Sequence, residues 1–265
     1  MTWIQVIVLA VVQGLTEFLP ISSSGHLVLV PSVLGWSDQG LVFDVAVHFG
    51  SLGAVCVYFR NDIAALLRGS LSVASGDTDS PESRMAMAIA IGTVPAAVAG
   101  LSLASWISDN LRHPSVVVMT LAGFGIVLAL ADTFGKRQRV IADVRIRDAI
   151  AIGLAQALAL VPGTSRSGVT ISAALMLGFQ RRDAARFSFL LSAPVILLAT
   201  LYETAVLIID GGSVAWSTLG VAALVSGVVA YLSIEFFMRF VTAIGLLPFA
   251  VYRLLLAAVI AAVLL

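Results

Sequence analysis

The hydrophobic pattern divides the chain into long apolar runs and two apolar segments that are broken in the middle. Runs of about 20 residues bounded by charge, or by Pro and Gly clusters, read as membrane-spanning helices. They fall near Leu41–Phe59, Met85–Ile107, Ser115–Phe134, Phe187–Ile209, Val214–Met238 and Val241–Leu265. The first broken segment, Trp3–Leu34, is interrupted by Gln13, Glu17, Pro20, Ser22-Ser23-Ser24-Gly25 and His26. The second, Ala149–Phe179, is interrupted by Gln156 and by Pro162-Gly163-Thr164-Ser165-Arg166-Ser167-Gly168. Non-helical backbone survives at membrane depth only where protein or a wet cavity surrounds it. Both segments therefore read as re-entrant helix–loop–helix hairpins. The expected fold is an all-α polytopic membrane protein with about six transmembrane helices and two such hairpins.

Basic residues test this layout. If each hairpin enters and leaves on one side, Arg60, Arg68 and Arg84 follow the first span, and Lys136, Arg137, Arg139, Arg145 and Arg147 follow the third. Arg181, Arg182 and Arg186 then follow the second hairpin, facing anionic lipid heads, and Arg239 follows the fifth span. All of these fall on one side, while the other receives only Arg112. The positive-inside rule makes the basic side cytoplasmic. Counting either hairpin as a full span destroys the separation.

Composition agrees with a membrane protein. Of 265 residues 60% are hydrophobic and 11% charged, with mean hydropathy +1.05. A soluble domain is roughly 45–50% apolar and about 25% charged, and one of this length could not hide so much apolar surface from water. Lys and Arg, 15 in all, balance 15 Asp and Glu, so no basic field for nucleic acid exists. The single cysteine, Cys56, can form no internal disulfide. No Lys or Arg precedes Val6–Val12, and Gln13 and Glu17 interrupt the run, so cleavage as a signal peptide is not expected.

Shifting the sequence by 143 residues lays Gln13 on Gln156, Leu15 on Leu158, Ser22 on Ser165, Ser24 on Ser167 and Gly25 on Gly168. Three spans separate the hairpins, an odd number, so the two would enter from opposite faces. The pattern reads as an inverted-topology repeat whose broken segments meet near the midplane. It makes one integral membrane domain of approximate repeats 1–134 and 148–265, joined by a basic cytoplasmic loop, 135–147.

Polar and ionisable groups inside a membrane are expensive and point to function. Gln13 and Glu17, four apart, share one helix face. Glu17 would bind a divalent cation or accept a proton, whereas Gln13 serves equally well as a cap for neighbouring backbone. Beyond Pro20, one of Ser22, Ser23 and Ser24 would be a nucleophile given a nearby base, and His26 is the acid or base at hand. A Ser-Ser-Ser-Gly stretch alone is usually a turn; a carboxylate, three hydroxyls and a histidine on one membrane hairpin make a stronger signal. In the second hairpin, Arg166 stands among small hydroxyl residues with a helix start at Val169 and Thr170 one turn on. A helix N-terminus, free backbone N–H groups and a forked guanidinium all favour phosphate. His48 and Asp44 read as a packed pair near the start of a span, and Glu203, Glu235 and Arg253 as partners of one another. No P-loop, zinc triad, G-x-S-x-G or C-x-x-C occurs.

At these residues the chain resembles the undecaprenyl pyrophosphate phosphatase family, also called the bacitracin-resistance protein family, over nearly its whole length. The first family motif reads here Gln13-Gly14-Leu15-Thr16-Glu17, continuing through Pro20 and Ser22-Ser23-Ser24-Gly25 to His26; the second is Pro162–Gly168. Some members carry Glu where this chain has Gln13, which leaves Glu17 as the only certain carboxylate. The resemblance implies removal of the terminal phosphate from undecaprenyl diphosphate, recycling the lipid carrier of bacterial wall synthesis and conferring bacitracin resistance. It implies a divalent cation, Mg2+ or Ca2+, held by Glu17, and a site towards the outer face of the bacterial plasma membrane. Glu17, Ser23, His26 and Arg166 would form its core. Gln13, Ser22, Ser24, Gly163, Ser165, Ser167 and Thr170 would contact substrate. The expected partners are the polyprenyl diphosphate and membrane lipid, with no nucleic acid and a homodimer as the assembled state.

On this reading Arg166 and a cation on Glu17 bind phosphate oxygens, Ser23 attacks the distal phosphorus, and His26 moves protons. A nucleophilic histidine and direct attack by water stay open alternatives. A secondary transporter or lipid flippase is the competing class, because inverted repeats with paired broken helices are also a transporter pattern. A carrier needs the Arg166 cradle but no serine and histidine beside a carboxylate. A phosphate-sensing scaffold is disfavoured by outer loops too short for docking.

Overall fold

The computed structural model describes residues 1–37, 39–111, 113–209 and 216–264; Arg112, Val214 and Leu265, used in the sequence reading, lie outside them. The described residues are overwhelmingly helical, and their only β pairing is an isolated bridge between Arg139 and Phe179. The first hairpin consists of α1, Trp3–Thr16, and α2, Ser23–Leu34. A capping box of Thr2 and Gln5 opens α1, and Pro20, which lacks an N–H, keeps helix from continuing through 17–22. The second hairpin consists of α7, Ile146–Ala157, a short 3-10 turn, and α8, Arg166–Met176. Both interrupted segments are thus broken helices.

Between them run α3, Leu41–Tyr58, α4, Arg60–Ala74, α5, Pro81–Asn110, and α6, Pro114–Phe134. After the second hairpin come α9, Arg181–Ile209, α10, Trp216–Ile244, and α11, Leu247–Leu264. Helices α5, α6, α9, α10 and α11 each contain a stretch long and apolar enough to cross a membrane, and α3 joined to α4 makes a sixth candidate, bent by 87°. This is a multi-pass all-α membrane protein. Small residues let its helices approach closely, as membrane packing requires. A Cβ added to Gly50 of α3 would collide with the Ala223 carbonyl of α10, and one on Gly153 of α7 with the Gly92 carbonyl of α5. At the centre, Phe18 from the first loop packs edge-on against Phe189 of α9, which also meets Phe59 and Phe237.

The basic side differs from the sequence reading. Arg60 and Arg68 lie on α4, not in a loop. Its apolar residues recur at helical spacing, so Ile63 and Leu66 pack on the core while Leu67 and Leu71 stay exposed, as in a helix lying at an interface. Helices α5 and α9 start earlier than hydropathy suggests, and α10 runs on to Ile244, so Arg239 is helical and α11 begins at Leu247. Hydropathy marks the membrane core, whereas helices extend beyond it.

Nor do Arg181 and Arg186 simply face lipid heads. Arg181 forms a fork on Asp132, Nε–Oδ1 2.5 Å and Nη2–Oδ2 3.0 Å, and Arg186 pairs with Asp62. Asp132 also accepts from the Leu246 N–H at 2.9 Å, tying α6 to the α10–α11 turn. In the 135–147 connection Arg139 forks onto Asp148, stacks over Phe179 with its guanidinium 4.2 Å from the ring centroid, and donates to the Leu177 carbonyl. Fixed carboxylate partners hold these half-buried arginines to the protein.

Candidate functional site

The two broken segments meet. Ser22 precedes α2 with φ 72° and ψ 96°; Ser165 precedes α8 with φ 69° and ψ 110°. The left-handed region is unfavourable for a side chain with a Cβ and recurs at functional sites. Each serine hydroxyl accepts from the glycine N–H three residues on, Gly25 at 3.4 Å and Gly168 at 3.2 Å. Each also approaches the serine two residues on, Ser24 at 3.2 Å and Ser167 at 3.3 Å. Loops 143 residues apart therefore share one local geometry, and they are joined directly by the Gly163 N–H donating to Ser24 Oγ at 3.2 Å.

Glu17 closes α1, where the four-residue spacing puts Gln13 beside it: Gln13 Nε2 donates to Glu17 Oε2 at 2.9 Å. Ser23 Oγ donates to the same oxygen at 2.8 Å, and Arg166 Nη2 reaches Glu17 Oε1 at 3.2 Å. The other Arg166 nitrogen contacts the Ser188 carbonyl at only 3.4 Å, so much of the fork's donor capacity is lightly used. Arg166 opens α8, where the helix N-terminus adds its own positive end.

These groups face a cavity of about 380 Å³. Of the residues singled out in the sequence, Glu17, Ser22, Ser23, Ser24, Ser165 and Arg166 line it. Gln13, His26, Gly163, Ser167 and Thr170 stand behind it. His26 Nδ1 donates to the Ser22 carbonyl at 2.7 Å, and its Nε2 bonds Tyr252 Oη at 2.7 Å, with the two rings parallel. Ser167 Oγ donates to the Leu19 carbonyl at 3.0 Å, and Thr170 Oγ1 lies 2.6 Å from Ser188 Oγ and donates to the Arg166 carbonyl at 2.8 Å. These contacts hold the loops and the Arg166 backbone in place.

Two residues matter more here than the sequence suggested. Arg253 is completely buried on α11 and pairs with no carboxylate among the described residues, correcting the expected link to Glu203 or Glu235. Its guanidinium donates to the carbonyls of Pro20 at 3.4 Å, Gly163 at 3.1 Å, Thr164 at 2.9 Å, Thr120 at 3.4 Å and Leu121 at 3.2 Å. One arginine thus ties both loops to α6. His48, read as a packed partner of Asp44, lines the cavity, with Nε2 3.6 Å from Glu17 Oε2. An arginine or histidine inside an apolar run was the available signal in each case.

A divalent cation can be tested against these residues. Among the described residues no three His, Cys, Asp or Glu side chains converge on one metal position. The site does offer the hard oxygen Glu17 Oε2, and Gln13 Oε1, wholly buried, is without a hydrogen-bond partner on the side chain that bonds Glu17. The Glu17 oxygens fit a cation held by one carboxylate together with substrate phosphates, as is usual for Mg2+, while Gln13 presents Nε2 and not Oε1 to them. They do not form an all-protein cage.

In this multi-pass membrane protein two broken hairpins bring an arginine, a helix N-terminus and serine hydroxyls to one carboxylate, the donors that a phosphate group next to lipid calls for. Comparison with known proteins gives the family. The family model described as "Bacitracin resistance protein BacA" matches residues 6–259. The chain is 53% identical over 258 residues to an undecaprenyl-diphosphatase of Hahella chejuensis, covering 97% of each chain. It is 51% identical over 260 residues to those of Nitrosococcus oceani and Chromohalobacter salexigens, with 98% of each chain covered. The chain belongs to the bacitracin resistance protein BacA family.

Proposed function

We infer that the chain is an undecaprenyl-diphosphate phosphatase: it hydrolyses undecaprenyl diphosphate to undecaprenyl phosphate and inorganic phosphate, and thereby supports wall synthesis and bacitracin resistance. The observation that carries the chemistry is the Ser23 hydroxyl donating to Glu17 Oε2 at 2.8 Å while Arg166 holds Oε1 across the same carboxylate. A lipid carrier needs a phosphate cradle but not a hydroxyl aligned on a buried base, so hydrolysis is favoured over flipping.

Ser23 Oγ attacks the distal phosphorus and passes its proton to Glu17. The bond from that phosphorus to the bridging oxygen breaks, and undecaprenyl phosphate leaves with the electron pair on that oxygen. Water then attacks the phosphoserine, the proton on Glu17 returns to Ser23 Oγ, and the proton shed by water leaves to solvent. Arg166 neutralises charge on the phosphoryl oxygens throughout, which together with positioning is most of what phosphoryl transfer requires. Glu17 would hold Mg2+ or Ca2+, which when bound supplies further positive charge to the diphosphate.

Ser165 and the first serines of α2 offer hydroxyls to the head group, and apolar wall residues such as Val45, Leu160 and Ile196 suit the lipid end. The shared geometry at Ser22 and Ser165 supports the inverted-repeat reading. With the basic ends cytoplasmic, a cavity lined by His48 near the start of α3 and Glu203 towards the end of α9, away from Arg60 and Arg186, would open towards the outer side of the bacterial plasma membrane. Purified protein in detergent should release phosphate from undecaprenyl diphosphate with Mg2+ or Ca2+ and stop with chelator. Head-group flipping in vesicles without phosphate release would replace this reading with transport.

A further inference from the structure

His48 stands on α3 one turn past Asp44, faces the cavity, and has 35% of its side chain exposed. Its Nδ1 lies 2.7 Å from the Asp44 carbonyl oxygen. A carbonyl only accepts, so Nδ1 carries the hydrogen and Nε2 of the neutral ring carries the lone pair. Nε2 lies 3.6 Å from Glu17 Oε2, beyond hydrogen-bond distance. Two such atoms repel unless a proton or a metal cation lies between them, and the two cases differ in whether a metal is bonded to nitrogen. Ligands bound to one cation at about 2.0–2.4 Å stand roughly 3–4 Å apart, which is the separation found here. Metal-bound imidazoles also regularly donate their other ring N–H to a carbonyl or carboxylate, fixing the tautomer and ring direction. The Asp44 carbonyl does this for His48. His26 is the contrast, because both its nitrogens are taken by Ser22 and Tyr252.

We propose that His48 Nε2 is a ligand of the divalent cation at this site, sharing it with the Glu17 carboxylate. The inference rests on the reading that the site carries a cation, and it says which side chain completes it. An imidazole shifts preference towards first-row transition-metal cations such as Mn2+ and away from Ca2+, whose ligands are oxygens.

The test uses Mn2+ alone as the probe, titrated into the purified full chain in detergent and read by pulsed electron paramagnetic resonance. One bound Mn2+ per chain is expected, with coupling to a directly bonded 14N nucleus. His48→Gln should remove that coupling and weaken Mn2+ binding at least tenfold, whereas His26→Gln should leave the coupling in place. Labelling the wild-type histidines with 15N should change the coupling accordingly, which requires no variant to fold. Mn2+ bound without nitrogen coupling, coupling that survives His48→Gln, or no stoichiometric Mn2+ would each overturn the proposal. Phosphate release is measured on the same wild-type preparation. Release without nitrogen coupling sinks the role of His48 alone, while absence of release under every metal sinks the phosphatase reading.

Discussion

Glu17 and Arg166, 149 residues apart in sequence, meet at 3.2 Å between Oε1 and Nη2, and with them the two interrupted hairpins become one site. Each partner answers the other's charge at low exposure, where an unpaired ion would be costly. On the proposed mechanism an arriving diphosphate would compete for the Arg166 fork and free the carboxylate oxygen that the guanidinium engages.

Replacing Arg166 by Lys tests the fork. Charge survives but the planar bidentate geometry does not. Turnover should fall at least tenfold, equivalent to about 1.4 kcal/mol of barrier. Phosphate release at saturating substrate checks this; turnover close to wild type means that Arg166 acts as a point charge only.

Arg253 should control the shape of the site without touching substrate. Arg253→Met leaves carbonyls of both loops and of α6 without their donor, and each unsatisfied buried group costs about 1–3 kcal/mol. A fall of at least roughly 5 °C in the detergent melting temperature is expected. Arg253→Lys, with fewer donors and no fork, should fall between. An unchanged melting temperature in the Met variant would show that the loops hold themselves.

Much of this was legible in the chain. Pro20 with Ser22–Gly25, and Pro162–Gly168, interrupt apolar runs so sharply that broken helices were the only membrane-compatible reading. Charge spacing argues for one basic side, but it hides α4: Arg60 and Arg68 look like loop charges until Ile63 and Leu66 are seen to face the core. Glu17, Ser23 and Arg166 stood out in the sequence because polar residues inside apolar segments demand a reason. The direction of His26 was not legible there, since it depends on Tyr252, 226 residues away. Nor was the role of Arg253, because backbone carbonyls leave no trace in side-chain identity.

On the basic side, pH should act through Asp148. Burial alone would raise its carboxyl, but hydrogen bonds from Arg139 and the Arg145 N–H, with the charge of Arg139, outweigh burial and hold it below its ordinary 3.8. A carboxylate depressed on folding contributes stability that is fully present above its unfolded value and lost as pH falls through the folded one. Asp148→Asn should therefore lower the melting temperature at pH 7, with the gap to wild type closing as the pH drops below about 4. A gap independent of pH would assign the effect to packing.

The most direct measurement compares wild type with Ser23→Ala for phosphate release from undecaprenyl diphosphate at equal protein and metal concentration. The hydroxyl on Glu17 Oε2 predicts a loss of at least about a hundredfold in the variant, with its melting temperature unchanged. Release at the wild-type rate would contradict the account and move the nucleophile to water or a histidine.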